Sequence, residues 1–297
     1  MSRRRIRWAT TLGSILVASA GLAVWVPATA EAGTLPTVTG VVKVEAASLN
    51  NSNVSKTAKV TCPDGKRLIN AGGYIVGGNG LVGMDDVYPD LTTNSVQVTG
   101  KETDPLSTNW WVSAVATCAD EPSGLELVWT PSAAGSAFMM VATARCPGTK
   151  TVLGSGATIE GGQGEVILDT ITPNGGLGAP ATEVATEAFE TGTFTGDWTL
   201  NAFAICADPL SGQQMVEDET VSGSANNGAR AQCAAGQVET GTGAEQVGVY
   251  GVVNIASEYP IDGSATTAPT ATTVYGEEIA ATTGTWSIKA FALCADA

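Results

Sequence analysis

An eleven-residue pattern recurs three times along this chain of 297 residues, and its spacing constrains the fold more than any other feature. The copies run Trp110–Asp120, Trp198–Asp208 and Trp286–Asp296, with 88 residues from each tryptophan to the next. Each ends in Cys-Ala-Asp, at the closing cysteines Cys118, Cys206 and Cys294; the opening cysteines are Cys62, Cys146 and Cys233. Ten residues after each opening cysteine stands Gly72, Gly156 or Gly243; fifteen after, Gly77, Gly161 or Gly248; eighteen after, Gly80, Gly164 or Gly251. Val82, Val166 and Val253 follow at twenty, and Pro89, Pro173 and Pro260 at twenty-seven. Sixteen residues before each closing cysteine is a glutamate: Glu102, Glu190 or Glu278. Self-similarity at a fixed period marks tandem structural units. The chain divides into a lead-in at 31–37 and three modules at 38–121, 122–209 and 210–297.

Within a module the signals are those of β structure. The closing segment alternates with period two, as a strand does. Trp198, Leu200, Ala202, Ala204 and Cys206 share one face, expected to point into the core, and Thr199, Asn201, Phe203 and Ile205 share the other. Thr93–Thr103, Thr182–Thr191 and Thr270–Ala281 read as further strands, and Val38–Ala46 and Val54–Thr61 as two more in the first module. The Gly-rich runs Asn70–Gly73, Gly77–Gly80 and Gly161–Gly164 mark turns, bulges or close approaches. Pro89-Asp90 and Pro173-Asn174 read as turns. About six strands per module and little helix are expected. Only 14% of residues are charged, so long-chain helix formers are scarce.

The first residues carry a different signal. Arg3, Arg4, Arg5 and Arg7 precede an apolar stretch from Thr11 to Val26, then small residues at Ala28, Ala30 and Ala32. This is the pattern of a secretory signal peptide spanning residues 1–30, cleaved after Ala30 or Ala32. Export to the extracellular space or cell surface, without membrane insertion after cleavage, is the expectation. Six cysteines, all beyond that segment, suit an oxidising compartment. Six cysteines permit fifteen connectivities, and three equivalent copies favour the repeated one: Cys62–Cys118, Cys146–Cys206 and Cys233–Cys294. Closing a loop of about 60 residues stabilises by about 4 kcal/mol on the chain-entropy argument.

Composition excludes several functions. The net charge is −15; removal of the four N-terminal arginines leaves ten basic residues against 29 acidic ones, a net of −19. Such a surface repels nucleic acid and anionic membranes. The chain has no histidine, which removes Ser-His-Asp and Cys-His catalysis and His-ligated zinc. The Gly-rich runs fit no nucleotide-binding pattern. No cofactor and no metal ligand set is indicated. Asp85, Asp86 and Asp90, and Asp169 with Asn174, are oxygen donors of the kind calcium takes, but no EF-hand spacing is present. The recurring glutamates read as scaffold, accepting hydrogen bonds from backbone N–H groups or from the tryptophan eight residues on, rather than as a cation site at a threefold axis.

Cys62-Pro63-Asp64-Gly65 and Cys146-Pro147-Gly148, each followed by a Gly-containing turn and then Trp-x-aliphatic-x-Ala-x-x-x-Cys, resemble the resistin-like β module. The Cys-rich C-terminal domain of the convertase that degrades the LDL receptor is similar and holds three such modules. The resemblance implies an all-β chain of three jelly-roll-like antiparallel modules of about 85 residues in pseudo-threefold order, with first-to-last cysteine pairing. It also implies a binding role. This chain departs from that pattern in having one cysteine pair per module, no proline after Cys233 and no histidine.

Functional residues are expected among those the modules do not share. Trp111, Tyr88, Tyr250 and Tyr259 stand where not every module has an aromatic, and exposed aromatics dock proteins or sugars. The expected function is non-enzymatic binding of an extracellular protein or glycan. A carbohydrate-binding module or lectin is one alternative, and a carboxylate-dependent hydrolase another.

Overall fold

A computed structural model describes residues 34–297; the expected signal peptide lies outside the described residues. Every element among the described residues is a strand. The first module contributes β1 (Val42–Ala47), β2 (Ser55–Thr61), β3 (Arg67–Val76), β4 (Val82–Asp90), β5 (Ser95–Glu102) and β6 (Trp111–Ala119). The second contributes β7 (Glu126–Pro131), β8 (Met139–Arg145), β9 (Thr151–Glu160), β10 (Val166–Asn174), β11 (Glu183–Glu190) and β12 (Thr199–Ala207). The third contributes β13 (Gln214–Glu219), β14 (Asn227–Gln232), β15 (Gln237–Val247), β16 (Val253–Ile261), β17 (Ala271–Glu278) and β18 (Ser287–Asp296).

Each module is a sandwich of two three-stranded antiparallel layers, β1-β6-β3 over β2-β5-β4 in the first. The closing strand lies centrally in its layer and supplies Val112, Ala114 and Ala116 to the core against Val60, Val96 and Val98. One disulfide ties the layers of each module: Cys62–Cys118, Cys146–Cys206 and Cys233–Cys294. The pairing expected from the repeat is the pairing observed.

No layer ends at its module boundary. β4 pairs with β9, β10 with β15, and β16 with β3, closing a ring. Three six-stranded sheets result: a first (β1-β6-β3-β16-β17-β14), a second (β2-β5-β4-β9-β12-β7) and a third (β13-β18-β15-β10-β11-β8). The junction register is the same each time: Asp86 faces Thr158, Thr170 faces Glu245 and Ser257 faces Tyr74.

The shared glycines make this closure sterically possible. A Cβ on Gly72 would sit 2.5 Å from the Glu258 carbonyl oxygen, and one on Gly156 2.5 Å from that of Val87. These glycines let the strand of the neighbouring module close in. Gly77, Gly161 and Gly248 have positive φ and lie under the residue before each tryptophan. Gly80, Gly164 and Gly251, also at positive φ, abut the carbonyls of Glu278, Glu102 and Glu190 of the preceding module.

One expectation needs correction. Pro89-Asp90 and Pro173-Asn174 end β4 and β10 rather than forming turns. The prolines stay extended because they pack on glycines of the adjoining module, Pro89 on Gly156 and Pro173 on Gly243. Asn70–Gly73 lies within β3, where a bulge falls between Leu68 and Asn70 and Gly72 meets the Glu258 carbonyl, two of the roles expected of the Gly-rich runs. In β12 the face away from the sandwich core is also shielded, with Asn201, Phe203 and Ile205 buried.

Candidate functional site

Each tryptophan that opens a closing strand donates its indole N–H to the recurring glutamate of its own module. The distances are 3.0 Å for Trp110 to Glu102, 3.2 Å for Trp198 to Glu190 and 3.0 Å for Trp286 to Glu278. A second oxygen accepts from the backbone: Leu106 N–H donates to Glu102 at 3.1 Å, and Phe194 N–H to Glu190 at 3.5 Å. These glutamates are scaffold. Removing the acceptor strands a buried indole N–H, which costs about 1–3 kcal/mol. Glu190→Ala is therefore expected to lose about 2 kcal/mol of unfolding free energy. Glu190→Gln, which keeps an acceptor oxygen, is expected to lose less than half of that. Urea titration of the three proteins measures both, and equal losses would count against the hydrogen bond as the cause.

The residues that differ between modules give the three sheets three different outer faces. The second sheet, at the β4–β9 junction, carries a groove of about 560 Å³. Tyr88 on β4, Phe203 on β12 and Trp129 on β7 form its apolar wall. Tyr88 meets Phe203 edge-on with ring centroids 5.3 Å apart, and Trp129 lies near-parallel to Phe203 at 6.5 Å. Trp129 stays 58% exposed, an uncommon position for so large an apolar side chain. Its neighbour in the sheet is Phe203, so the edge strand β7 extends the aromatic surface outward.

Polar groups border these rings. Asp86, Asp90, Gln97, Thr158, Glu160 and Asn201 line the groove, and no lysine or arginine does. Asn201 donates to Glu160 at 3.1 Å and to Thr158 at 3.0 Å, which holds the Glu160 carboxylate at a set angle. Burial pushes the Asp86 carboxyl above the ordinary carboxylate range; Thr99 and Lys101 pull against the rise and Glu160 adds to it. Asp90 behaves oppositely. Burial works against its charge, but hydrogen bonds from Thr92 and Thr93 prevail and hold its carboxyl down at about 2. The groove thus joins stacking surface to fixed hydrogen-bond acceptors and donors, the composition of a small-molecule site.

The four aromatics expected to bind fall in three places. Tyr88 lines the groove. Trp111 and Tyr259 lie on the first sheet, joined through Tyr74 with centroid distances of 5.5 Å and 4.7 Å. Tyr250 leaves the β15–β16 turn to stack on Phe189 of the second module at 4.8 Å. Sequence reasoning missed Trp129, Phe203 and Asn201. Trp129 had a usable signal, since module-specific aromatics were the criterion and no other module has a tryptophan in its first strand. Asn201 and Phe203 were visible on the face opposite the core, but only the β4–β9 junction brings them beside Tyr88.

The acidic residues weighed for calcium do not converge. Asp85 pairs with Lys101 at 2.8 Å, and Asp90 is committed to Thr92 and Thr93. Among the described residues no cluster of three or more carboxylate or thiol side chains is placed to hold a metal.

No protein-family profile matches this chain, and no curated protein matches it.

Proposed function

We propose that this is an exported, non-enzymatic binding protein and that the groove on the second sheet takes a glycan segment. One observation carries the reading: an exposed tryptophan, a tyrosine and a phenylalanine form a surface edged by Asp86, Glu160, Asn201 and Gln97. A pyranose ring presents an apolar face and a rim of hydroxyls, and this surface offers the complement of both. The absence of cations from the groove lining disfavours uronic, sulfated or sialylated sugars. Neutral sugars and amino sugars, whose ammonium groups would meet Asp86 and Glu160, fit the charge. Three disulfides suit an extracellular setting, which supports reading the basic and apolar N-terminal segment as a signal peptide. The threefold order supports kinship with the resistin-like modules at the level of architecture, without fixing a shared ligand.

The test is binding to three hexasaccharides: cellohexaose, chitohexaose and its deacetylated glucosamine form. At least one is expected to bind, and Trp129→Ala is expected to weaken groove binding at least tenfold. An unchanged affinity in that variant would remove the groove from consideration. The hydrolase alternative is read in the same samples. No new reducing ends are expected after prolonged incubation, and their appearance, lost in Asp86→Asn, would replace the binding reading with a catalytic one.

A further inference from the structure

We infer that the outer face of the first sheet is a second site for the same class of glycan, so that one chain engages two sugar segments. This rests on the glycan reading of the groove and extends it through the pseudo-threefold order of the fold.

The position 26 residues after each opening cysteine holds Tyr88, Thr172 and Tyr259 in the three modules. Tyr88 is the groove tyrosine. Tyr259 therefore occupies the corresponding place at the β16–β3 junction of the first sheet, two residues beyond Ser257, which faces Tyr74. Tyr74 packs on Tyr259 on one side and meets Trp111 edge-on at 70° on the other. Tyr275 on β17 lies directly opposite Ser257 and is 38% exposed. Four aromatic side chains thus cross the junction on neighbouring strands, and each carries a polar tip. Three of the five tyrosines of the chain stand on this one face, a concentration that core packing does not require, since none of them is fully buried. Glu45 on β1, opposite Val115, flanks the stripe as a hydrogen-bond acceptor. It is close enough to Tyr259 to raise its phenol, after burial and Tyr74.

The third face shows what the same position looks like without a platform. Thr172 replaces the tyrosine, Lys289 pairs with Glu245 at 3.1 Å, and Glu187 and Glu217 stand on either side. Around this position the face is charged and Phe291, the counterpart of Phe203, is buried, while the sheet's Phe189 is already covered by Tyr250 at 4.8 Å. Two sites rather than three follow.

Titration calorimetry with the best-binding hexasaccharide tests the inference on the full exported protein. Two equivalents per chain are expected for the wild type, one for Trp129→Ala, one for Trp111→Ala, and none for the double variant. Far-ultraviolet circular dichroism establishes that each variant keeps its strands. Tyr259→Phe, which removes only a hydroxyl, is expected to retain two equivalents with weaker affinity at one of them. If Trp111→Ala still binds two equivalents, or the wild type binds one that Trp129→Ala abolishes, the second site is wrong and the groove stands. If Trp129→Ala changes nothing while Trp111→Ala removes binding, the face described here is a site and the groove is not. Binding of none of the three sugars overturns both. With a long polysaccharide the two sites act together, and the wild type is expected to bind at least a hundredfold more tightly than either single variant.

Discussion

Thermal melts are expected to fall by on the order of 10 °C between pH 5 and pH 8, with Glu258 as one of the causes. Glu258 is fully buried, and among the described residues neither carboxyl oxygen has a hydrogen-bond partner. Burial pushes its carboxyl up to about 8, although the Thr242 and Ser155 hydroxyls nearby pull it down. The group is thus neutral in the folded protein at pH 5 and is forced toward charge as pH rises. Because the folded value exceeds the unfolded value near 4.5, its stabilising contribution is complete below about pH 4.5. It is lost progressively as pH climbs through 8. The gap between about 8 and 4.5 corresponds to roughly 5 kcal/mol. Asp85 acts in the same direction, lifted to about 7 by burial and Asp86 against the pull of Lys101. Burial also raises Glu239 well above the ordinary range; its only acceptor contact is from Thr117 at 3.4 Å, with Glu258 and Lys43 as its charged neighbours. Asp90 opposes the trend only in strong acid, since its depressed carboxyl withdraws stability as pH falls toward 2.

Repeat equivalence supplies the variants. The position of Glu258 holds Val87 and Ile171 in the other modules, and that of Glu239 holds Leu68 and Val152. All four aliphatic side chains are fully buried. Glu258→Gln and Glu258→Ile are therefore expected to melt higher than wild type at pH 8 and closer to it at pH 5, with a shallower pH slope. Differential scanning calorimetry from pH 4 to pH 9 decides this. A flat wild-type profile, or variants that run parallel to it, would mean that Glu258 ionises freely within the fold.

These two glutamates also mark where reading the chain stops working. The repeat exposed the modules, the closing strands, the disulfides and the tryptophan–glutamate bonds, because each is local to one module or recurs in all three. Gly72, Gly80 and their equivalents were visible as repeated residues, but their purpose was not, because what they make room for lies in another module. Pro89 read as a turn for the same reason; its partner Gly156 is 67 residues away. The groove was half legible. Tyr88 stood out as a module-specific aromatic, whereas Asn201 and Glu160 became meaningful only once β4 was seen to pair with β9. Glu239 and Glu258 carry no local sign of burial at all. Hydrophobic periodicity predicts an outward position for a glutamate, and only the aliphatic residues at the same repeat positions, Val87 and Ile171 or Leu68 and Val152, pointed inward.

Ring closure can be tested at one atom. Gly164→Ala is expected to destabilise the protein by roughly 4 kcal/mol, and Gly148→Ala by only about 1 kcal/mol. Both glycines have positive φ, +90° and +63°, so both substitutions carry the strain of a left-handed backbone. They differ in surroundings. A Cβ on Gly148 meets nothing within 4 Å, whereas one on Gly164 overlaps the carbonyl oxygen of Glu102. That carbonyl belongs to the preceding module, so the added methyl pushes the first two modules apart. Glu102 also holds the Trp110 indole at 3.0 Å, and the displacement is carried into the core of the first module. Guanidinium unfolding measures the loss, and tryptophan emission shifting to the red in the folded baseline reports the disturbed indole. Gly80→Ala and Gly251→Ala probe the other two junctions, where the same overlap occurs with Glu278 and Glu190. Three similar losses are expected if the ring unfolds as one cooperative unit. If each module unfolds separately, the substitutions split the transition instead of shifting it, and equal losses at Gly164 and Gly148 would show that contact between modules contributes little to stability.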